Sequence, residues 1–547
     1  MLLKRYNIFP FLKKLLLIDI SEKGEEKMFA SPDDLIEKAI KKVDKIYKTT
    51  FISAVIIGMI AHGYMFMNKL PNYDDVNCIN SVGGTFQSGR WFLGLLGVAK
   101  FRVMGNYSLP LFNGMLALCL LALSSCLIMS LFHNKSVITG IIVSGIMVSF
   151  PTITGFFLFM FTSVFYAFSI FLVTVAVYLW ESNRRWYVLG CLCMMGALGI
   201  YQAVFPFGLS LCIYLLIFQL LKGEKTVEKV FWTAWKYLGL LIVSVIGYGI
   251  VAVGFIWRFG LTEHKTGSLI PKGMNEVFQR ITNMFTNFPN LILRDYCGIS
   301  YNIYVRILII ILFGTMIGLI FLGIFKAFKR NEVQRGFLLI VLSALLPIAV
   351  NLLYLLGTEI YVLMIYAIVC VLVFPVLCLN DKSAVESKTS IINSVLQYIV
   401  VGTSALLLFV YISLANETYL AMELAISEMQ SYTTTLITQI KSVEGYKENM
   451  PVAFVGKNDD KTVLHLQEEI FYNLDKSVFR DAIYMTSNDY YWKQYMSLYC
   501  GFDFLEAGNI EDMVDYEKVR QMPEYPNFGS IQVIGDIVVV KFSNALK

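Results

Sequence analysis

A mostly α fold is predicted, a polytopic membrane helix bundle of about eleven spans with a small extracytoplasmic α/β domain at its C-terminal end. Three observations predict it. Of the 547 residues, 57% are apolar and only 16% charged, whereas soluble domains run about 45–50% and about 25%. The apolar residues gather in windows of roughly 20, the length that crosses a bilayer as a helix. Beyond Ala415 that density is lost, and short β-branched runs alternate with helical patterns. A soluble enzyme, a disordered chain and a disulfide scaffold are thereby excluded. The net charge of +5 is small and sits in short basic clusters between apolar runs. That distribution excludes a nucleic-acid partner and reports topology instead.

In chain order, residues 1–49 form a lysine-rich tail in which Lys13 and Lys14 interrupt the one apolar stretch. With no small-residue cleavage site after it, no cleaved signal peptide is expected. Ser31-Pro32-Asp33-Asp34 reads as an N-cap, a proline at the first helical position and acids in the first turn, opening a helix toward the first span. The spans follow at 50–67, 109–132, 136–150, 154–180, 187–201, 203–221, 237–257, 303–325, 337–356, 360–379 and 391–414. The third and fifth are short, a length tolerated when neighbours shield the helix.

Lys135, then Arg184 and Arg185, then Lys222, Lys225, Lys229 and Lys236 fall on alternate loops. Lys326, Lys329, Arg330 and Arg335, then Lys382 and Lys388, continue the series. The intervening turns Pro151–Gly155, Tyr201–Gln202 and Gly357–Glu359 carry no Lys or Arg. By the positive-inside rule the N-terminus is cytoplasmic and the C-terminal domain is outside. The bundle is 50–414 with long outer loops 69–108 and 258–302, and the outer domain is 415–547. Each long loop holds a candidate surface helix, Phe86–Met104 in the first and Met274–Leu293 in the second. The outer domain opens with an amphipathic helix near 416–441, continues with a strand at Pro451–Gly456 and closes with a hairpin at Ser530–Phe542 about Gly535-Asp536. Tyr491, Tyr495 and Tyr499 recur at helical spacing on one face, which either packs that helix or stacks on sugar rings.

No Asp or Glu lies in the middle of a span, which argues against a proton relay or ion pathway. The cysteines fall mostly inside spans and show no metal spacing; Cys191 and Cys193, two apart, read as small buried thiols. His62, inside the first span, reads as a buried, hydrogen-bonded histidine. Groups able to act as a base are confined to the outer loops: Asp74, Asp75, Glu263, His264, Glu276, Asp295 and Glu359. The adjacent pair Asp74-Asp75, just past the first span, fits a solvated loop end, a divalent-cation site, or a general base with an orienting partner.

Tyr73-Asp74-Asp75, Ser88-Gly89-Arg90-Trp91, Tyr201-Gln202, Met522-Pro523 to Gly529-Ser530 and Val538–Lys541, in that order, resemble the type II Gtr glucosyltransferases of the GT-C class, over residues from about 50 to 547. The resemblance implies a GT-C bundle and an inverting transfer of a hexose, typically glucose, from polyprenyl phosphate to a cell-surface polysaccharide such as an O-antigen. It places the protein in the bacterial cytoplasmic (inner) membrane. It also implies Asp74 as the base, with Asp75 orienting Asp74 or the acceptor; an exposed Asp with a pKa of roughly 4 is ionised at neutral pH. Arg90, Arg258 and Arg294 are the candidates to stabilise the leaving phosphate, or else interfacial anchors. Tyr73, Tyr201, Gln202 and Glu359 are the candidates for sugar or acceptor contacts. No cofactor is required for a monophosphate leaving group, and a divalent cation at Asp74/Asp75 stays open. The implied partners are a lipid-linked donor, a polysaccharide acceptor and membrane lipid, with a functional link to a polyprenyl-phosphate sugar synthase and a flippase. The alternatives are a lipid-linked glycan flippase or transporter, for which inverted repeats are expected and none is visible, a polysaccharide ligase or polymerase, and a non-catalytic scaffold.

Overall fold

The computed structural model describes residues 33, 41, 43–68, 70–78, 85–105, 108–260, 273–293, 301–355, 360–379, 391–456, 489–505 and 516–543. The expected helix start at Ser31-Pro32-Asp33-Asp34 lies outside these residues except for Asp33. The first half of the chain runs through α1 (Lys45–Met67), the short α2 (Tyr73–Asn77), α3 (Trp91–Met104), α4 (Pro110–Leu131), α5 (Val137–Ser149), α6 (Pro151–Leu158), α7 (Met160–Ser182) and α8 (Tyr187–Ile200). It continues through α9 (Phe205–Lys222), α10 (Val227–Phe259), α11 (Met274–Leu293), α12 (Ile303–Lys329), α13 (Val333–Val350), α14 (Ile368–Leu379) and α15 (Ile391–Ser442). The C-terminal segment holds β1 (Val452–Val455), α16 (Asp489–Cys500), α17 (Tyr516–Gln521), β2 (Ile531–Ile534) and β3 (Ile537–Lys541).

Among the described residues, eight helices are long and apolar enough to cross a membrane, or nine if the bent pair α5–α6 counts as one span. The eleven expected spans therefore resolve differently, for local reasons. Pro151 has no N–H to give and drives Phe150 to an extended ψ of 139°, so α5 ends after 13 residues and α6 leaves at 41°. The expected span 154–180 is broken again at Phe159, where α7 begins. α8 has 14 residues and α14 has 12. Both short helices are covered by neighbours, α8 by α7 and α10, and α14 by α5, α9, α12 and α15.

The centre of the bundle is α1, α4, α5 and α7, packed through small residues that let backbones approach. A Cβ on Gly114 of α4 would lie 2.3 Å from the Phe66 ring of α1, so this contact admits no side chain there. His62 of α1 is buried against it, its Nδ1 2.8 Å from the Tyr419 hydroxyl and its Nε2 2.8 Å from the Val148 carbonyl. The two ends of the bundle differ in charge. At the end where α7 finishes, Glu181 pairs with Lys225 Nζ at 3.3 Å and Lys236 Nζ at 3.6 Å. The 23 residues of α7, about 35 Å at 1.5 Å per residue, separate that basic end from the end bearing Asp74 and Asp75.

α15 is a single helix of 52 residues, roughly 78 Å long. It merges the last expected span with the amphipathic helix expected near 416–441, and the expected boundary at Ala415 falls inside it. Its first half packs on α1, α5 and α12, and its last turns supply Leu436 and Ile440 to the core of the C-terminal sheet beside Val452, Val538 and Val540. The sheet order is β1-β3-β2, with β1 parallel and β2 antiparallel to β3. Ile534 pairs with Ile537 across the tight turn at Gly535, whose φ is +63°, as the Gly-Asp pattern leads one to expect. α16 crosses back to pack on α2, where Tyr495 meets Val76 and Met429. The C-terminal segment thus touches the short helix that carries the acidic pair.

Candidate active site at the acidic helix

α2 is five residues long, too short to hold itself, and is fixed by caps. Asn72 Oδ1 accepts from Asp75 N at 2.8 Å, and the Asp75 carboxylate in turn accepts from Asn72 N at 3.4 Å, a reciprocal capping box. The same carboxylate reaches a second helix. Because the chain breaks at Phe159, the first N–H groups of α7 have no partner of their own; Phe161 N donates to Asp75 Oδ1 at 2.8 Å and Met160 N to Oδ2 at 3.3 Å. Asp75 therefore rivets α2 to the start of α7. Burial pushes its carboxyl up to about 7, against the downward pull of those backbone donors.

Asp75→Ala leaves three backbone N–H groups without an acceptor, with an expected loss of about 2–3 kcal/mol of stability. The pH dependence has a definite sign. The folded value near 7 lies above the ordinary 3.8, so the contribution of Asp75 is full below about 4 and is lost as pH rises through 7. The melting temperature of the purified protein is expected to fall across that window, and Asp75→Asn to flatten the slope.

Asp74, the neighbouring residue, is half-buried, and its charge adds to those that favour the ionised form of Arg90. Arg90 reaches that position through a built turn. The single helix expected over Phe86–Met104 is instead a 3-10 turn, Phe86–Ser88, then Gly89 at φ +73°, then α3 with Arg90 as its N-cap. Only glycine enters that left-handed region without strain, and a Cβ there would also lie 3.0 Å from the Tyr248 hydroxyl and 3.3 Å from Gln202 Nε2. Gln202 Nε2 donates to the Ser88 carbonyl at 3.2 Å and the Tyr248 hydroxyl at 2.9 Å, and Tyr248 donates to the Gly89 carbonyl at 3.3 Å. Phe86 stacks on Phe255 at 5.1 Å and Phe259 at 4.9 Å. α3 seats Trp91 and Phe92 over Gly199 of α8, where a Cβ would come within 2.7 Å of the indole.

The result turns Arg90 inward. Its Nη1 donates to the Tyr166 hydroxyl at 3.1 Å, and its guanidinium lies 5.2 Å over the Tyr201 ring. Tyr166 and Tyr201 stack on each other at 4.4 Å and 25°. Burial works against the charge, but Tyr166, Tyr201, Tyr248 and Asp74 together hold the guanidinium above its ordinary value. Arg90 Nε and Trp91 Nε1 are buried with no hydrogen-bond partner. A fixed cation on which the charge of a carboxylate acts is a pairing that can hold an oxyanion and deprotonate a hydroxyl.

Of the sequence candidates, Asp74, Asp75, Arg90, Tyr201 and Gln202 occupy this one end of the bundle. Both Nε2 contacts of Gln202 brace the Arg90 turn, and Tyr201 donates its hydroxyl to the Leu363 carbonyl at 3.3 Å. Arg258 is exposed at the end of α10 with its guanidinium 5.4 Å from the Phe259 ring, and the next residue but one toward its N-terminus, Ile256, lies inside the same helix. Glu276 pairs with Arg280 at 2.7 Å. Arg294, Glu359, Glu263, His264, Asp295 and the side chain of Tyr73 lie outside the described residues. Sequence reasoning missed Tyr166, Tyr248 and Arg280. The two tyrosines sit in apolar helices among many aromatics and carry no local signal. Arg280, buried and donating to the Leu355 carbonyl at 2.7 Å, was signalled only by its place on the second surface helix, α11. Among the described residues no group of three His, Cys, Asp or Glu is arranged to hold a metal ion.

A family model described as Glucosyl transferase GtrII matches residues 63–373, more than half of the chain and the whole stretch from Asp74 to Tyr248. No curated protein and no solved structure matches the chain.

Proposed function

Because the chain belongs to the GtrII glucosyl transferase family, we propose that it is an inverting hexosyltransferase of GT-C type. It moves glucose from polyprenyl phosphate to a cell-surface polysaccharide at the outer face of the cytoplasmic membrane. The observation that supports the reading is a buried Arg90 on which the charge of Asp74 acts and whose Nε makes no hydrogen bond. Glycosyl transfer from a lipid phosphate needs those two things together, a base for the acceptor hydroxyl and a cation for the phosphate it displaces.

Asp74 takes the proton of the acceptor hydroxyl as its oxygen attacks the anomeric carbon. The bond from that carbon to the phosphate oxygen breaks, its electron pair stays on the phosphate, and Arg90 stabilises the charge that grows there. Asp75 is a positioning residue, since its carboxylate is engaged by α7 and its own helix. Tyr166 and Tyr201 orient the guanidinium, and Gln202 with Tyr248 holds the turn that delivers it. The exposed apolar side chains Leu95, Phe101, Ile250, Val253 and Trp257 on α3 and α10 offer a surface for the polyprenyl chain in the bilayer. The transfer uses no cofactor. The basic residues gathered at the opposite end around Glu181 support an orientation with the acidic end outside. A polyprenyl-phosphate sugar synthase and a flippase would supply the donor.

The test is membranes containing the full chain, supplied with radiolabelled glucose either on polyprenyl phosphate or on a nucleotide. Label reaching polysaccharide from the lipid donor is expected. Label from the nucleotide alone, with the lipid donor inert, would overturn the reading.

A further inference from the structure

The outer helix α16 packs in two directions. Met496, fully buried, lies in the core of the C-terminal sheet with Leu436, Ile440, Val538 and Val540, and Phe502 N donates back to the Met496 carbonyl at 3.0 Å where the helix ends. Tyr495, one residue earlier and so about 100° round the helix, leaves that core. It joins a separate small cluster with Val76 of α2 and Met429 of α15, edged by Ile426 and Cys500. Tyr499, four residues on, stacks on Tyr495 at 5.0 Å and 9°, as the i and i+4 positions of one helix face allow. The tyrosine spacing legible in the sequence therefore packs α16 against α2.

That contact matters to α2, whose five residues keep their place only through what they touch. Val76 is fully buried, yet its cluster is distinct from the core of the bundle. The apolar side of α2 is thus seated by residues of α15 and α16. Two contacts grip the helix: Asp75 ties it to the start of α7 through backbone N–H groups, and Val76 ties it to the outer domain through Tyr495. The charge of Asp75 acts on the Tyr499 phenol, which sets the stacked tyrosine pair near the acidic helix. The family match over residues 63–373 contains α2 but neither Met429 nor Tyr495, so this second grip comes from outside the matched region.

We propose that Tyr495 is a positioning residue, which through Val76 holds α2 so that Asp74 meets the acceptor hydroxyl. The proposal rests on the transferase reading above. It gives the outer domain a share in the transfer, because a reacting group displaced by about 1 Å loses about a hundredfold in rate.

Two readouts are taken on the full-length protein in nanodiscs: amide hydrogen exchange over residues 70–78, and the kinetics of glucose transfer from the lipid donor. Tyr495→Ala is expected to speed exchange of that segment about tenfold or more while α4 and α9 keep wild-type rates. It is expected to lower kcat about tenfold to a hundredfold with KM for the acceptor within about threefold. Tyr495→Phe keeps the ring and is expected to match the wild type in both readouts. Val76→Ala approaches the contact from α2 and is expected to act in the same direction, which carries the test if Tyr495→Ala unfolds the outer domain. The double variant is expected to be no slower than Tyr495→Ala, because both changes remove one contact. Unchanged exchange in Tyr495→Ala and Val76→Ala, faster exchange with unchanged kcat, or losses that multiply in the double variant would overturn the proposal. Faster exchange in both variants with no transfer by the wild type from either lipid or nucleotide donor leaves the grip on α2 standing and the transferase reading failed.

Discussion

Asp74→Asn is expected to lower transfer of glucose from the lipid donor by about a hundredfold to ten-thousandfold, the range that a positioned general base supplies. The loss falls on kcat, because the amide keeps the size of the carboxylate and removes its basicity along with its charge. The fold is expected to survive, since the bonds that cap α2 belong to Asn72 and Asp75 and those that hold it to α7 belong to Asp75. Asp74 also sits half-buried beside Arg90, so its loss removes a compensating negative charge. The variant is therefore checked by its melting temperature as well as by its rate. Matched stability with lost turnover marks a group that acts on the reacting atoms. Full activity in Asp74→Asn would move the base elsewhere on the outer loops.

Arg90→Lys is the second large effect. A lysine keeps the charge but presents one ammonium in place of a planar fork. It cannot donate to the Tyr166 hydroxyl at 3.1 Å, lie flat over the Tyr201 ring 5.2 Å away and direct a further N–H to a phosphate at the same time. Loss of one such transition-state donor costs about a hundredfold to a thousandfold in kcat. KM for the lipid donor is expected to move less, since in the proposed binding mode its chain lies along the apolar surface of α3 and α10. A large rise in KM at unchanged kcat would make Arg90 a ground-state anchor for the headgroup instead.

The residues of this site that were legible in the sequence were those that break the pattern around them. Asp74 and Asp75 interrupt an apolar chain just after a span, Arg90 stands beside a glycine and a tryptophan, and Tyr201-Gln202 marks a bare turn between two spans. Polar residues in so apolar a chain are costly unless used, which is why they stand out. Tyr166 and Tyr248 do not break any pattern, because the chain holds 31 tyrosines and 41 phenylalanines and the hydroxyl that matters is selected by a partner 76 residues away in one case. The role of Asp75 was equally hidden. A carboxylate next to a carboxylate suggests shared chemistry, whereas its acceptors are spent on backbone N–H groups 85 and 86 residues further on. Only the break at Phe159 creates those orphan donors. Span counting was limited in the same way: Pro151 was visible as a turn, but the continuity of α15 through Ala415 depends on packing at both of its ends.

One measurement tests the direct displacement at Asp74 and Arg90 more sharply than any other. Glucose of defined anomeric configuration on polyprenyl phosphate is transferred by the purified full-length protein, and the configuration of the new linkage is read from the anomeric proton by NMR. Inversion is the expected result, because one base and one phosphate-binding cation provide for a single in-line displacement. Retention would contradict it, since it would require a covalent glycosyl-enzyme intermediate and a nucleophile in place of the base.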